Sequence, residues 1–173
     1  MDPGDAELIA RVLVDDDRRA FATLIARHQG AVRGVLRRLT AGDAARADDL
    51  AQEVFVRVYR RLGTYAGGSF GGWLYKIAVH AFLDTVRRGP PAPVALDEDL
   101  PADAASPILR RDLEDALADL SPDERTAIVV TLGRERTHEE AAALLGWPLG
   151  TLKTLVARAK RKLARRLADW KED

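Results

Sequence analysis

The chain has 173 residues, 47% of them hydrophobic and 31% charged, with 27 Lys and Arg balancing 27 Asp and Glu and no Cys at all. That size allows one ordinary domain or two small ones, and the lack of Cys excludes disulfides, thiolate zinc sites and thiol redox sensing. No apolar run approaches the ~20 residues of a membrane span, and the N-terminus MDPGDAELIARVLVDDD is acidic and without a secretory signal pattern. The expectation is therefore a cytoplasmic protein with no membrane insertion. His28, His80 and His138 are scattered without metal-ligand spacing, so neither a metal nor another cofactor is expected.

Ala, Leu, Arg and Glu dominate, and no pair of strands with hairpin chemistry stands out, so the fold class reads as all-α. A first helix fits Asp5–Val14. A second fits Arg18–Leu39, with Phe21, Leu24, Ile25, Val32, Val35, Leu36 and Leu39 as its apolar stripe, and Ala41-Gly42 breaks it. Asp43 or Asp48 can cap a third helix that runs to Leu62 and buries Leu50, Val54, Val58 and Leu62. The other face of that helix carries Asp49, Gln52, Glu53, Arg57 and Arg60, which taken alone reads as a solvated surface.

Residues 63–72 form a loop with glycines at 63, 67, 68, 71 and 72 around Tyr65 and Phe70. Aromatics in such a setting could stack a base or hold one away from its neighbours. A fourth helix fits Trp73–Arg88. Lys76, His80, Asp84 and Arg87 recur along one of its faces, as a stripe that could follow a phosphate backbone or simply face water. The composition leaves both readings open, whereas Trp73 and Phe82 read as core.

Residues 89–108, GPPAPVALDEDLPADAASPI, hold five of the eight prolines and four acids without a base. That composition predicts an extended tether with little core of its own. It divides the chain into 1–88, a linker at 89–108, and 109–173. In the last unit, helices fit Ile108–Asp119 and Pro122–Leu132. The second opens on Ser121-Pro122-Asp123-Glu124, with a cap, a proline at the first position and acids in the first turn.

The stretch Thr137–Leu163, THEEAAALLGWPLGTLKTLVARAKRKL, then reads as two helices around Gly146-Trp147-Pro148. Ala142, four residues before Gly146, lets the helices approach. Gly146 can take the positive φ of a tight turn, and Pro148 stops the first helix. Leu145, Leu152 and Leu155 are spaced to bury between the helices. Thr151, Lys153, Thr154, Ala157 and Arg158 fall largely on the other faces. The second helix runs into a basic tail: residues 150–171 hold Lys or Arg at 153, 158, 160, 161, 162, 165, 166 and 171 against Asp169 alone. This is the pattern of a helix-turn-helix that places its second helix on DNA.

Three segments together resemble a known family. ADDLAQEVFVRVYRRL resembles the core-polymerase-binding helix of bacterial RNA polymerase sigma factors of the extracytoplasmic-function (ECF) group. WLYKIAVHAFLDTVRR resembles their helix for the promoter −10 element, and LSPDERTAIVV with EEAAALLGWPLGTLKTLVARAKRKL resembles their −35 domain. The resemblance covers nearly the whole chain, and it is the order and separation of the three that make it specific.

The resemblance implies sigma region 2 at 1–88 and region 4 at 109–173. Asp49, Gln52, Glu53 and Arg57 would face core polymerase. Tyr65 through Phe70, Ser69 among them, would capture a flipped base, with Lys76, His80, Arg87 and Arg88 along the −10 strand. Thr151, Lys153, Thr154, Ala157 and Arg158 would meet the −35 duplex, while Arg161 and Lys162 would meet phosphates or face solvent. The partners implied are core RNA polymerase, promoter DNA and an anti-sigma factor, with no small-molecule substrate.

The chain departs from the family pattern where His80 replaces a frequent Asn, Leu155 a common Arg and Ala141 a usual Ile, and where the 63–72 loop has glycines in place of charges. It is also expected to lack the acidic N-terminal region of housekeeping sigma factors and any added C-terminal domain.

The expected function is thus an alternative sigma factor, not an enzyme, that directs promoter-specific initiation by reading −35 as duplex and −10 as a melted strand. Elements nearly two duplex turns apart lie about 60 Å from each other, and twenty linker residues span at most ~66–72 Å, so the tether permits both contacts at once. The alternative is a helix-turn-helix regulator that binds a palindromic duplex as a dimer without polymerase. A third reading, an enzyme built on His80 and Asp84, lacks a nucleophile at a sensible spacing.

Overall fold

The computed structural model describes residues 3–89, 107–133 and 136–169. Every element among them is helical. In order they are α1 (Asp5–Asp15), α2 (Arg18–Leu39), α3 (Ala44–Arg61), a single 3-10 turn (Leu62–Thr64), α4 (Phe70–Arg88), α5 (Pro107–Ala118), α6 (Pro122–Leu132), α7 (His138–Leu145) and α8 (Leu149–Asp169).

Short polar side chains decide where the helices start. The Asp17 carboxylate accepts from the Arg19 and Ala20 amides and opens α2, and Asp43 accepts from the Arg46 amide and opens α3. Asp48, the other candidate cap for α3, lies inside the helix and pairs with Arg33 at 2.5 Å. Ser121 with Glu124, and Thr137 with Glu140, form complete capping boxes at α6 and α7. One start differs from expectation. The Ser69 hydroxyl accepts from the Gly72 amide, so α4 begins at Phe70, three residues before Trp73 and inside the expected glycine loop. Gly146 takes φ 67° and ends α7 in the left-handed conformation, as the turn requires.

The first unit packs α1 on α2 and closes α2, α3 and α4 around Leu24, Leu36, Leu39, Val54, Val58, Leu74, Val79 and Phe82, all fully buried. In the second, α6 and α7 pack on α8 around Ala127, Val130, Ala141, Leu145, Leu152, Val156 and Ala159. Leu145 and Leu152 are buried as the spacing predicts. Leu155 is half-buried, with Val156 in the core instead.

The units do not stand apart. α2 packs on α6 and α4 on α7, so the buried residues of both form one continuous apolar cluster. Of the tether expected at 89–108, all but Gly89, Pro107 and Ile108 lies outside the described residues, and the last two already belong to α5.

Candidate polymerase- and DNA-binding surfaces

Three surfaces carry the residues singled out by the sequence. The first is on α3, where burial of Leu50, Val54 and Val58 turns Asp49 and Gln52 outward into solvent. Glu53 and Arg57, from the same group, are half-buried and engaged. The Arg57 guanidinium donates to Glu53 at 2.5 Å and, across to α4, to Asp84 at 2.8 Å. Arg88 approaches Glu53 at 3.9 Å, and Arg87 approaches Asp84 at 4.0 Å. Burial opposes the charge on Arg57, but the hydrogen bonds to Asp84 and Glu53 outweigh it and raise its pKa further, so the guanidinium stays charged. This network ties the helix expected to face polymerase to the end of the helix expected on the −10 strand. Sequence reasoning missed the link across helices, although the Glu53–Arg57 spacing of four residues was a readable half of it.

The second surface is α4 with the loop before it. Lys76, Arg87 and Arg88 are exposed on α4. His80, on the same stripe, is half-buried, and its Nε2 lies 2.8 Å from the Leu144 carbonyl of α7. Burial pushes the His80 pKa below the ordinary 6.5, and Lys76, Arg87 and Arg57 push the same way against Asp84.

In the loop, the Tyr65 hydroxyl donates to the Gly68 carbonyl at 2.5 Å, and Gly67 and Gly68 both hold positive φ. Tyr65, Phe70 and Trp73 form an aromatic cluster with ring centroids 5.5–5.7 Å apart, and His28 packs edge-on to Phe70 at 5.2 Å. Phe70 is 3% exposed, so in this conformation its ring offers no face to a base. Tyr65 and Trp73 are half-exposed, and Ser69 is spent on the cap of α4.

The third surface is α8. Leu152, Val156 and Ala159 face inward, which leaves Thr151, Lys153, Thr154, Ala157 and Arg158 exposed together on the outward side. The Thr154 hydroxyl donates back to the Gly150 carbonyl at 2.9 Å, and Lys153 stands 3.9 Å from Glu139 of α7. Lys162 is exposed to solvent but is also engaged with α6. It donates at 2.6 Å to Glu124, a nearly buried carboxylate whose pKa is lowered first by that bond and then by the Ser121 amide. Arg161 remains exposed. Among the described residues no cluster of His, Asp and Glu could hold a metal ion, and no helix is long and apolar enough to cross a membrane.

Comparison with known proteins assigns the two helical units in order. Residues 24–89 match the family model for sigma-70 region 2, and residues 110–163 match that for sigma-70 region 4. The chain is 37% identical over 156 residues to the ECF RNA polymerase sigma factor SigE of Mycolicibacterium smegmatis, covering 84% of this chain and 60% of that protein. It is 32% identical over 182 residues to the RNA polymerase sigma-H factor of Pseudomonas aeruginosa, covering 94% and 93%. Among solved structures, the sigma factor RpoE of Bartonella quintana, in complex with the anti-sigma factor NepR, superposes with a TM-score of 0.66 at 26% identity over 86% of this chain and 96% of that one. This chain belongs to the sigma-70 family of RNA polymerase sigma factors, and within it to the ECF group.

Proposed function

We propose that this sigma factor divides promoter recognition between its two units: residues 1–88 act at core polymerase and the −10 element, residues 109–173 act at −35, and 89–108 tether them. The observation that carries the reading is the outward face of α8. There Lys153 and Arg158 stand exposed beside Thr151, Thr154 and Ala157, on the second helix of a helix-turn-helix whose first helix and turn are fixed by a capping box and Gly146. Such a helix supplies charge for phosphates and short side chains for base edges in one place.

On the first unit, Asp49 and Gln52 offer polymerase a polar face, with Glu53 and Arg57 at its inner margin bracing α3 against α4. Lys76, Arg87 and Arg88 supply the positive line for the −10 strand, with His80 between them. Tyr65, Ser69 and Phe70 shape the loop beside it, and Tyr65 and Trp73 keep partly open aromatic faces for an unstacked base. Holding an extruded base offsets a few kcal/mol of lost stacking. The protein performs no chemistry itself, acts in the cytoplasm and is restrained by an anti-sigma protein, in keeping with the complex in which its structural relative was solved.

The test is binding with and without core polymerase. The purified chain should co-elute with core enzyme and shift promoter DNA strongly only in its presence. Tight binding of a palindromic duplex by the chain alone would instead favour a dimeric regulator.

A further inference from the structure

The charges where α3 meets the end of α4 are not shared equally. Arg57 of α3, with 24% of its side chain exposed, donates through Nη2 to Glu53 at 2.5 Å and through Nη1 to Asp84 of α4 at 2.8 Å. Arg87 and Arg88 stand farther from the same two carboxylates, at 4.0 Å from Asp84 and 3.9 Å from Glu53, and are 70% and 63% exposed. Arg88 also donates through Nε to the Asp84 backbone carbonyl at 3.2 Å, a bond that orients the side chain without neutralising it. Asp84 itself lies on the stripe of Lys76, His80 and Arg87. An uncompensated carboxylate there would face the phosphates of any strand laid along α4.

We propose that Arg57 is a positioning residue for the −10 strand: by occupying Asp84 and Glu53 it leaves Arg87 and Arg88 available to phosphates. The inference rests on the −10 reading of α4. It assigns Arg57 to the DNA side of the unit, although the residue stands on the helix expected to face polymerase. One planar guanidinium can serve two carboxylates at once. The half-buried arginine does so in bonds that solvent screens poorly, whereas exposed ion pairs contribute little. The two acids are therefore neutralised from within the protein. Without Arg57 they are left to Arg87 and Arg88, and each of those is then divided between a carboxylate and a phosphate. The charge balance moves the same way. Arg57, Arg87 and Arg88 against Glu53 and Asp84 leave this corner with one net positive charge, and loss of Arg57 removes it.

The test uses the full chain with core polymerase in excess, so that a change in affinity for core does not enter. The probe is a fluorescent single-stranded oligonucleotide carrying the non-template −10 sequence of a promoter mapped for this protein. Anisotropy titrations at several salt concentrations give the affinity and its salt slope. Arg57→Gln should weaken binding about threefold or more, the size of one exposed ion pair formed at the strand's expense. It should also flatten the salt slope, because fewer phosphates are neutralised. Asp84→Asn should tighten binding, because its amide oxygen still accepts from Arg57 while the charge is gone. The double variant should bind more tightly than Arg57→Gln alone. A purely structural strut predicts the opposite sign for Asp84→Asn, since both single changes would loosen the same joint. Weaker binding by Asp84→Asn therefore overturns the proposal, as does a double variant no better than Arg57→Gln, or wild-type affinity and slope in Arg57→Gln. If Arg57→Gln does not fold, as judged by circular dichroism, the sign for Asp84→Asn alone decides. A scrambled oligonucleotide bound as tightly as the −10 sequence by the wild type rejects the −10 reading beneath. Sequence preference with the wrong sign for Asp84→Asn rejects only the role of Arg57.

Discussion

His80 shows how much one side chain can be asked to do. It lies on the stripe proposed to follow the −10 strand, yet it is half-buried against α7 with its pKa lowered. Facing it are Lys76, Asp84 and Arg87 of its own helix, Arg57 of α3 and the Leu144 carbonyl of α7. In the unfolded chain the imidazole regains solvent and a pKa near the ordinary ~6.5. A group whose pKa is depressed in the folded state binds protons better in the unfolded one, so the stability His80 contributes is present above that ordinary value and is lost as pH falls below it. Denaturant melts should therefore show stability falling as pH drops below about 6.5, and His80→Gln should flatten that part of the dependence.

Glu124 has the same sign in a lower pH range. Its pKa is lowered by Lys162 and the Ser121 amide, so its contribution to stability is present above the ordinary carboxylate range and is lost as pH falls through that range. Lys162→Met should cost about 1–2 kcal/mol at pH 7 by leaving a nearly buried carboxylate short of its cation, measured by chemical denaturation. The cost should shrink at acid pH. Neither residue's partner was legible in the sequence. His80 reaches 64 residues along the chain and Lys162 reaches 38, and hydrogen bonds to distant carbonyls or carboxylates leave no spacing to read.

At the scale of the element, the sequence was far more informative. Local chemistry sets helix ends, so Asp43, Ser121, Pro122 and Gly146 could be read in place, and α2 and α6 begin and end at the residues their patterns predict. Gly146→Ala should cost about 1–2 kcal/mol, because a Cβ is strained at φ 67° whatever the space around it. A smaller loss of about 1 kcal/mol is expected for Ser121→Ala, which removes one half of the capping box of α6. Thermal or denaturant melts of the two variants check the order.

The start of α4 was misread for a physical reason. Five glycines argue for loop, but the Ser69 cap supplies the first turn with an acceptor, and burial of Phe70 against His28, Tyr65 and Trp73 outweighs the glycine penalty. The face of α3 reads in the sequence as solvated charges, which the family resemblance turns toward polymerase. Arg57 proves to be a strut between helices, so Arg57→Ala should lower the melting temperature of the whole protein, whereas Asp49→Ala should leave it unchanged.

For the whole molecule, composition and periodicity predicted helical units with a helix-turn-helix last, and that much of the architecture follows from pattern alone. How the units sit on each other does not. The apolar residues of α2, α4, α6 and α7 serve both internal packing and the seam between units, and an amphipathic stripe does not say which neighbour covers it. The same seam makes the two surfaces proposed to meet the promoter unequal. α8 presents Lys153 and Arg158 to solvent, while α4 is partly covered at His80. Alanine at Lys153 and Arg158 together should therefore weaken the −35 contact and flatten its salt dependence, with binding to core polymerase unchanged in a pull-down.

The central claim is that this chain gives polymerase its promoter. Transcription by purified core polymerase on fragmented genomic DNA, with the 5′ ends of the products mapped, tests it most directly. Adding the protein should produce a limited set of new start sites that share two upstream elements nearly two duplex turns apart. Start sites indistinguishable from those of core polymerase alone would contradict it.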